Sequence, residues 1–87
     1  MTTSTDQNVE TELLAFLAAR TKTNPATDTD LFASGLVSSL FAMELVGYVE
    51  DTFGVTVGPD DLHLDTFRTV ERITALVRRL RSGTAGG

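Results

Sequence analysis

The chain has 87 residues, of which 41% are hydrophobic, and its formal net charge is −5 at pH 7. This length predicts one small domain with too little interior for a deep catalytic cleft. Zero cysteines exclude a disulfide framework and a thiolate metal site. No apolar run approaches the ~20 residues of a membrane span, and the polar N-terminus lacks the features of a secretion signal. We therefore expect a cytoplasmic, monomeric protein that is stabilised by packing alone and binds no metal.

Charge is divided unevenly along the chain. From Asp28 to Asp65 the sequence has eight acidic residues and no lysine or arginine. Beyond Asp65 the sign reverses, since five arginines lie between positions 68 and 81 with a single acid, Glu71. Nucleic acid is a poor partner for the acidic segment, because phosphate binding requires clustered cations. A basic protein surface is the predicted partner, and the alternative is that these charges only keep exposed faces in water.

The first predicted helix covers residues 5–20. Ser4 and Gln7 have the spacing of a capping box, and apolar residues then recur on one helical face. We expect Asn24-Pro25 to end the helix, because the residue before proline is pushed out of the helical region.

Residues 21–37 are predicted to form a long loop. Thr, Asn, Asp, Ser, Gly and Pro dominate this segment, and these residues favour local side-chain bonds over helix. Leu31 and Phe32 interrupt it and are expected to pin the loop to the core. One helical turn is expected near residues 29–33, with Asp28 and Asp30 as turn and cap residues; the alternative is that they bind a cation.

The second predicted helix covers residues 38–53. Ser38 is the expected N-cap, Ser39 lies just inside the helix, and Gly54 suits a left-handed C-terminal cap. The predicted inner face consists of Leu45, Val46, Val49 and Phe53.

Three further apolar residues of this helix, Leu40, Phe41 and Met43, exceed what one buried stripe requires. We expect some of them to be exposed. The alternative is that they pack under the long loop as a satellite of the core.

Val55-Thr56-Val57 is β-branched but has no partner strand in the sequence, so an extended link is predicted. Pro59 then suits the first position of a short helix over residues 59–64. Asp60 and Asp61 suit its positive end, and Leu62 and Leu64 are expected to turn inward.

The last predicted helix covers residues 69–81, and residues 82–87 are predicted to be a flexible tail outside a single domain of residues 1–81. Together the elements predict an all-α bundle of three main helices and one short helix. The predicted core consists of Leu13, Phe16, Leu17, Leu45, Val46, Val49, Phe53, Leu62, Ile73, Val77 and Leu80.

Several short motifs punctuate these elements in a fixed order. They are Leu31-Phe32, Gly35-Leu36, Ser39-Leu40, Val49-Glu50, Phe53-Gly54-Val55, Pro59-Asp60-Asp61 and Thr69-Val70. In this order the chain resembles an acyl carrier protein over residues 6–80.

The resemblance implies that Ser39 receives 4′-phosphopantetheine from coenzyme A and that the thiol of this arm holds an acyl group as a thioester. The family's motif is Asp-Ser-Leu, whereas this chain has Ser38-Ser39-Leu40. Ser38 keeps the capping ability of the aspartate and lacks its charge beside the phosphate. The chain is then a carrier without its own catalytic site, and its partners perform catalysis.

The implied partners are a phosphopantetheinyl transferase, an acyl- or glyceryl-loading enzyme, and a downstream ketosynthase, dehydrogenase or acyltransferase. Met1 directly before a single carrier domain leads us to expect a discrete protein. The run from Gly35 to Val46 is similar to discrete carriers of polyketide pathways that accept a glyceryl group. Aminoacyl cargo, as on a peptidyl carrier protein, and ordinary acyl or malonyl cargo remain open.

The predicted docking surface has an apolar centre and an acidic rim beside the arm. Its residues are Ser38, Leu40, Phe41, Met43, Glu44, Gly47, Glu50, Asp60 and Asp61.

An unmodified helical adaptor, which binds a partner through the acidic and apolar second helix, is the alternative function. An esterase is a third hypothesis, but Ser39 lacks the Gly-x-Ser-x-Gly surroundings of a nucleophile and His63 would have to be its base. On a short helix, His63 is more simply a surface or packing residue.

Overall fold

The computed structural model describes the backbone of residues 2–86 and the side chains of residues 7–81. No strand occurs within residues 2–86, so the all-α prediction is confirmed. The elements, in chain order, are α1 (Thr2–Thr21), α2 (Ser39–Phe53), a first 3₁₀ helix (Pro59–Asp61), a second 3₁₀ helix (Leu64–Phe67) and α3 (Val70–Gly86).

The first helix begins earlier than predicted. Since α1 starts at Thr2, Ser4 lies inside the helix and the proposed capping box is wrong. The helix ends at Thr21, whose hydroxyl donates to the carbonyl of Leu17 at 2.7 Å. Lys22 then has a φ of 61°, a left-handed conformation that stops the helix before Pro25 is reached.

The long loop between α1 and α2 is tied to the start of α3. Asp30 Oδ1 accepts hydrogen bonds from the backbone N–H groups of Phe32 at 3.1 Å and Ala33 at 2.8 Å, which confirms its role as a turn residue. Asp30 Oδ2 accepts from Arg68 Nη1 at 3.1 Å. The N–H of Leu31 donates to the Arg68 carbonyl at 2.8 Å, and the Leu31 side chain is fully buried. The loop is therefore pinned to the core, as predicted.

The second helix has the predicted bounds and caps. Gly54 ends it with a φ of 67°, and its N–H donates to the Glu50 carbonyl at 3.0 Å. Leu45, Val49 and Phe53 are buried, while Val46 is half-buried against the core.

The predicted extended link after α2 is confirmed, because residues 55–58 adopt neither helix nor strand. Val55 and Val57 are both buried, so the link contributes to the core. The N–H of Val57 donates to Glu50 Oε2 at 2.8 Å, which holds the link against the end of α2.

The prediction of a single short helix over residues 59–64 is wrong, because two 3₁₀ helices occupy this region. His63, between them, is extended, with φ −144° and ψ 161°. This break turns the flanking leucines outward, so Leu62 and Leu64 are 47% and 49% exposed and Leu62 is not a core residue. Phe67, at the end of the second 3₁₀ helix, is buried in their place.

The third helix extends beyond the predicted end. Thr69 precedes it, and its hydroxyl accepts from the N–H of Arg72 at 3.1 Å, as an N-terminal cap does. α3 continues to Gly86, beyond the predicted end at residue 81 and into the segment predicted as a tail. Gly87 lies outside the described residues.

One core receives side chains from all three helices, the long loop and the link. Phe16, Val46 and Leu80, predicted as core, are half-buried against it. The buried apolar residues are Val9, Leu13, Leu17, Leu31, Val37, Ala42, Leu45, Val49, Phe53, Val55, Val57, Phe67, Val70, Ile73, Leu76 and Val77.

The turn at Asp30 makes stability depend on pH. The hydrogen bond from the Ala33 N–H, together with the Arg68 guanidinium, lowers the pKa of the Asp30 carboxyl, although partial burial acts in the opposite direction. A carboxyl whose pKa is lower in the folded state stabilises the fold above its unfolded pKa of about 3.9 and loses this contribution as pH falls through the folded value.

We therefore expect the melting temperature of the wild-type chain to fall more steeply below about pH 4 than that of Asp30→Asn. The side-chain amide oxygen in this variant can still accept hydrogen bonds from the backbone N–H groups of the turn, but the amide does not titrate. Thermal unfolding at pH 7 and at pH 3 measures the difference, with Asp28→Asn as a matched control from the same loop. An equally steep fall in Asp30→Asn and wild type would contradict this role of Asp30.

Candidate functional site

The approach to α2 is set by a tight turn. Gly35 has a φ of 80°, a conformation that residues with a Cβ rarely adopt. Two residues later, the N–H of Val37 donates to the Leu31 carbonyl at 3.0 Å, and both side chains are buried. The chain therefore enters α2 from a fixed position and not from a free loop.

The two serines at the start of α2 have different surroundings. Ser38 is extended, with φ −90° and ψ 171°, and its Oγ accepts from the N–H of Phe41 at 3.1 Å. The N-cap prediction is therefore confirmed. Ser39 is the first residue of the helix and is exposed. The first backbone N–H groups of a helix have no helical partner and carry partial positive charge, so a phosphoester on Ser39 would be stabilised there.

A groove of about 370 Å³ opens beside Ser39, between α2 and the two 3₁₀ helices. Its surface is mainly apolar. The residues that line it are Phe32, Ser39, Ala42, Met43, Val46, Leu62, His63, Leu64 and Phe67. The outward leucines of the 3₁₀ region thus form one wall of the groove, and sequence patterning missed this because it placed them in the core.

His63 lines the same groove, and both of its ring nitrogens contact other groups. Its Nε2 is 2.6 Å from the carbonyl oxygen of Asp60, and its Nδ1 is 3.3 Å from the hydroxyl of Thr66. A general base has to reach the nucleophile's own proton. These contacts engage the imidazole within the 3₁₀ region and do not favour the esterase hypothesis.

The predicted apolar centre of the docking surface is partly exposed. Leu40 and Met43 are 78% and 66% exposed, as expected for some members of this group. Gly47 follows at helical spacing and is also exposed, and a Cβ placed on it would meet nothing within 4 Å. We name these three residues the open face of α2.

Phe41 belongs to a different environment. Its ring is half-buried, and its centre lies 5.9 Å from that of Phe16 on α1. Tyr48 of α2 also stacks on Phe16, with 4.0 Å between the two ring centres. Phe41 therefore packs from α2 against α1 at the edge of the core, and not under the long loop as the alternative interpretation held.

The acidic residues predicted for the rim are mostly engaged within the chain. Glu44 forms an ion pair with Arg20. Glu50 accepts from the link, as described above, and Asp61 Oδ1 is 2.6 Å from Arg79 Nη2. Asp60 is exposed. Periodicity alone does not reveal these pairings, because the partners lie on other elements.

No helix among the described residues is long and apolar enough to cross a lipid bilayer.

Comparison with known proteins identifies the family. The family model of the phosphopantetheine attachment site, PP-binding, matches residues 11–77, a range that includes the start of α2. No curated protein gives a significant match to the chain. Domains of this family are generally non-catalytic carriers that interact with phosphopantetheinyl transferases and acyl-processing enzymes. The chain therefore belongs to the acyl carrier protein family and is a carrier whose cofactor is covalently attached 4′-phosphopantetheine.

Proposed function

We propose that Ser39 is the residue that carries the phosphopantetheine arm. The observation that carries this proposal is the difference between the two serines at the start of α2. The Ser38 hydroxyl is committed to the cap of the helix, whereas Ser39 is exposed and lines the apolar groove. A phosphoester at Ser39 also lies next to the unpaired N–H groups of the first turn.

The surroundings of Ser39 fit the arm. The N-terminal turn of α2 would hold the phosphate, and the groove wall formed by Met43, Leu62 and Leu64 would contact the less polar part of the arm. When attached, the arm supplies a thiol that carries acyl groups as thioesters. The protein itself contributes position and contact surface.

Replacing Ser39 by alanine should abolish loading and leave the fold intact, because the Ser38 cap remains. Ser38→Ala should still load but should be less stable by about 1 kcal/mol, since it loses the cap. Intact mass after incubation with coenzyme A and a phosphopantetheinyl transferase gives the loading, and thermal unfolding gives the stability. Normal loading of Ser39→Ala would contradict the assignment. No mass gain by the wild-type chain would favour the adaptor alternative.

We further propose that partners dock on the open face of α2, beside the arm. Leu40 and Met43 offer an exposed apolar contact that no internal packing explains. The exposed carboxylates of Asp51 and Asp60 supply the acidic rim. Apolar anchors then contribute most of the affinity, and charges chiefly set the association rate and orientation.

Met43→Glu should reduce partner-dependent loading several-fold while shifting the melting temperature by less than about 2 °C, because an exposed side chain stabilises little. Phe41→Glu should lower the melting temperature by more than about 5 °C, because its ring packs on α1. Measuring both properties on both variants separates docking from stability. A large loss of stability in Met43→Glu would exclude it from the docking surface.

We propose that this chain is a carrier in polyketide biosynthesis and that its cargo is a glyceryl group. This proposal is supported by the resemblance of residues 35–46 to such carriers. Its partners would be a glyceryl-loading enzyme and a downstream dehydrogenase, acyltransferase or ketosynthase.

Incubating the arm-loaded protein with candidate loading enzymes should give a glyceryl adduct detected by intact mass. The same intact-mass measurement is made after incubation with malonyl, ordinary acyl and aminoacyl donors. Exclusive loading by an adenylating amino-acid ligase would overturn the glyceryl assignment and favour a peptidyl carrier.

A further inference from the structure

Arg20 joins α1 to α2 beside the open face. It lies in the last turn of α1, where a cation is favoured by the helix dipole. Its guanidinium forms an ion pair with Glu44 on α2. The same guanidinium lies 5.0 Å from the ring centre of Phe16 and 6.0 Å from that of Phe41.

These contacts restrict Arg20. A guanidinium is attracted to the faces of aromatic rings, so the two phenylalanines favour its position near them, and it donates from Nη1 to Glu44. Because the ring contacts already restrict the side chain, forming the ion pair costs less conformational entropy than it does for an isolated surface pair.

The pair is nevertheless accessible to a partner. The Arg20 and Glu44 side chains are 52% and 54% exposed, and they line a surface pocket together with Ser38, Leu40 and Phe41. A protein that docks on the open face next to Ser39 therefore meets this pair and not a free carboxylate.

Arg20 supplies a cation that α2 itself does not have. The acidic stretch that includes α2 has no lysine or arginine of its own. The cation that faces Glu44 consequently comes from α1. Glu50, further along α2, accepts from the link, and Asp51, near the C-terminal end of α2, and Asp60, in the first 3₁₀ helix, are exposed.

We infer that Arg20 determines which partners dock beside Ser39, by neutralising Glu44 on the docking surface. The favoured partner has an apolar or uncharged residue opposite the first two turns of α2, and its basic residues face Asp51 and Asp60. A partner whose binding requires a cation directly on Glu44 is disfavoured. This inference rests on the proposed attachment and docking surface, and it specifies the chemistry of the partner.

The test uses a phosphopantetheinyl transferase with a basic carrier-binding surface, coenzyme A and the full chain. Loading rates from intact mass give KM for each carrier variant at low salt. Arg20→Gln exposes the Glu44 charge, so its KM should fall about two- to fivefold, the range that a rim charge of this exposure supports. Glu44→Gln leaves Arg20 uncompensated, and its KM should rise by a similar factor. The double variant should return to the wild-type KM.

Lys22→Gln is the matched control. It removes the same charge from an exposed residue just after α1, and its KM should stay at the wild-type value. At high salt the KM of Arg20→Gln should no longer be lower than that of the wild type, because exposed charges are screened there. Arg20→Lys keeps the cation with weaker stacking, and it should resemble the wild type. Melting temperatures of all variants identify any variant that fails to fold. The KM values of Glu44→Gln and Arg20→Lys test the inference even if Arg20→Gln does not fold.

An unchanged or higher KM in folded Arg20→Gln would overturn the inference while leaving the attachment site intact. An equal decrease in Lys22→Gln would also overturn it, because the effect would then follow net charge. Failure of the wild-type chain to load would overturn the proposed function itself, and the two failures are therefore distinguishable.

Discussion

The position of Ser39, the proposed attachment residue, depends on how the long loop is held. Asp30 fixes a turn with one carboxylate oxygen and contacts Arg68 with the other, while the backbone of Leu31 bonds to the Arg68 carbonyl. These contacts connect the loop to the start of α3, far away in sequence. Without them a segment rich in Thr, Asn, Asp and Gly would have many conformations, and the first turn of α2 would have no fixed location. The buried side chains of Leu31 and Val37 secure the same segment from inside.

The site is simple because the chemistry belongs to the arm and the partners. A helix N-terminus, one exposed hydroxyl and an apolar groove suffice to hold a phosphoester and to present what it carries. Holding and presenting an arm requires no enclosed active site, so a small domain can perform this task. The two outward leucines of the 3₁₀ region fit this arrangement, since they extend apolar surface from the groove toward solvent.

Ion pairs and hydrogen bonds within the chain engage several of its acidic side chains. A net charge of −5 suggests a surface of free carboxylates, yet Glu44, Glu50 and Asp61 each contact a donor on another part of the fold. Each pairing serves a structural purpose: α1 to α2, α2 to the link, and the first 3₁₀ helix to α3. The charge available to partners is therefore smaller and more localised than the sequence suggests, which affects association rates more than affinity.

The sequence by itself determined the all-α class, the bounds and caps of α2, the turn at Asp30 and an excess of apolar residues at the start of α2, some of which had to be exposed. These features depend on local patterns: a capping serine, a left-handed glycine, an Asx turn and helical periodicity. Only the tertiary structure decided that Leu62 faces outward and Phe67 inward, because the break at His63 sets their direction. It also decided that Phe41 packs on Phe16 and that Arg20 pairs with Glu44. Such contacts join residues distant in the chain, and no local pattern specifies which surfaces of separate elements will meet.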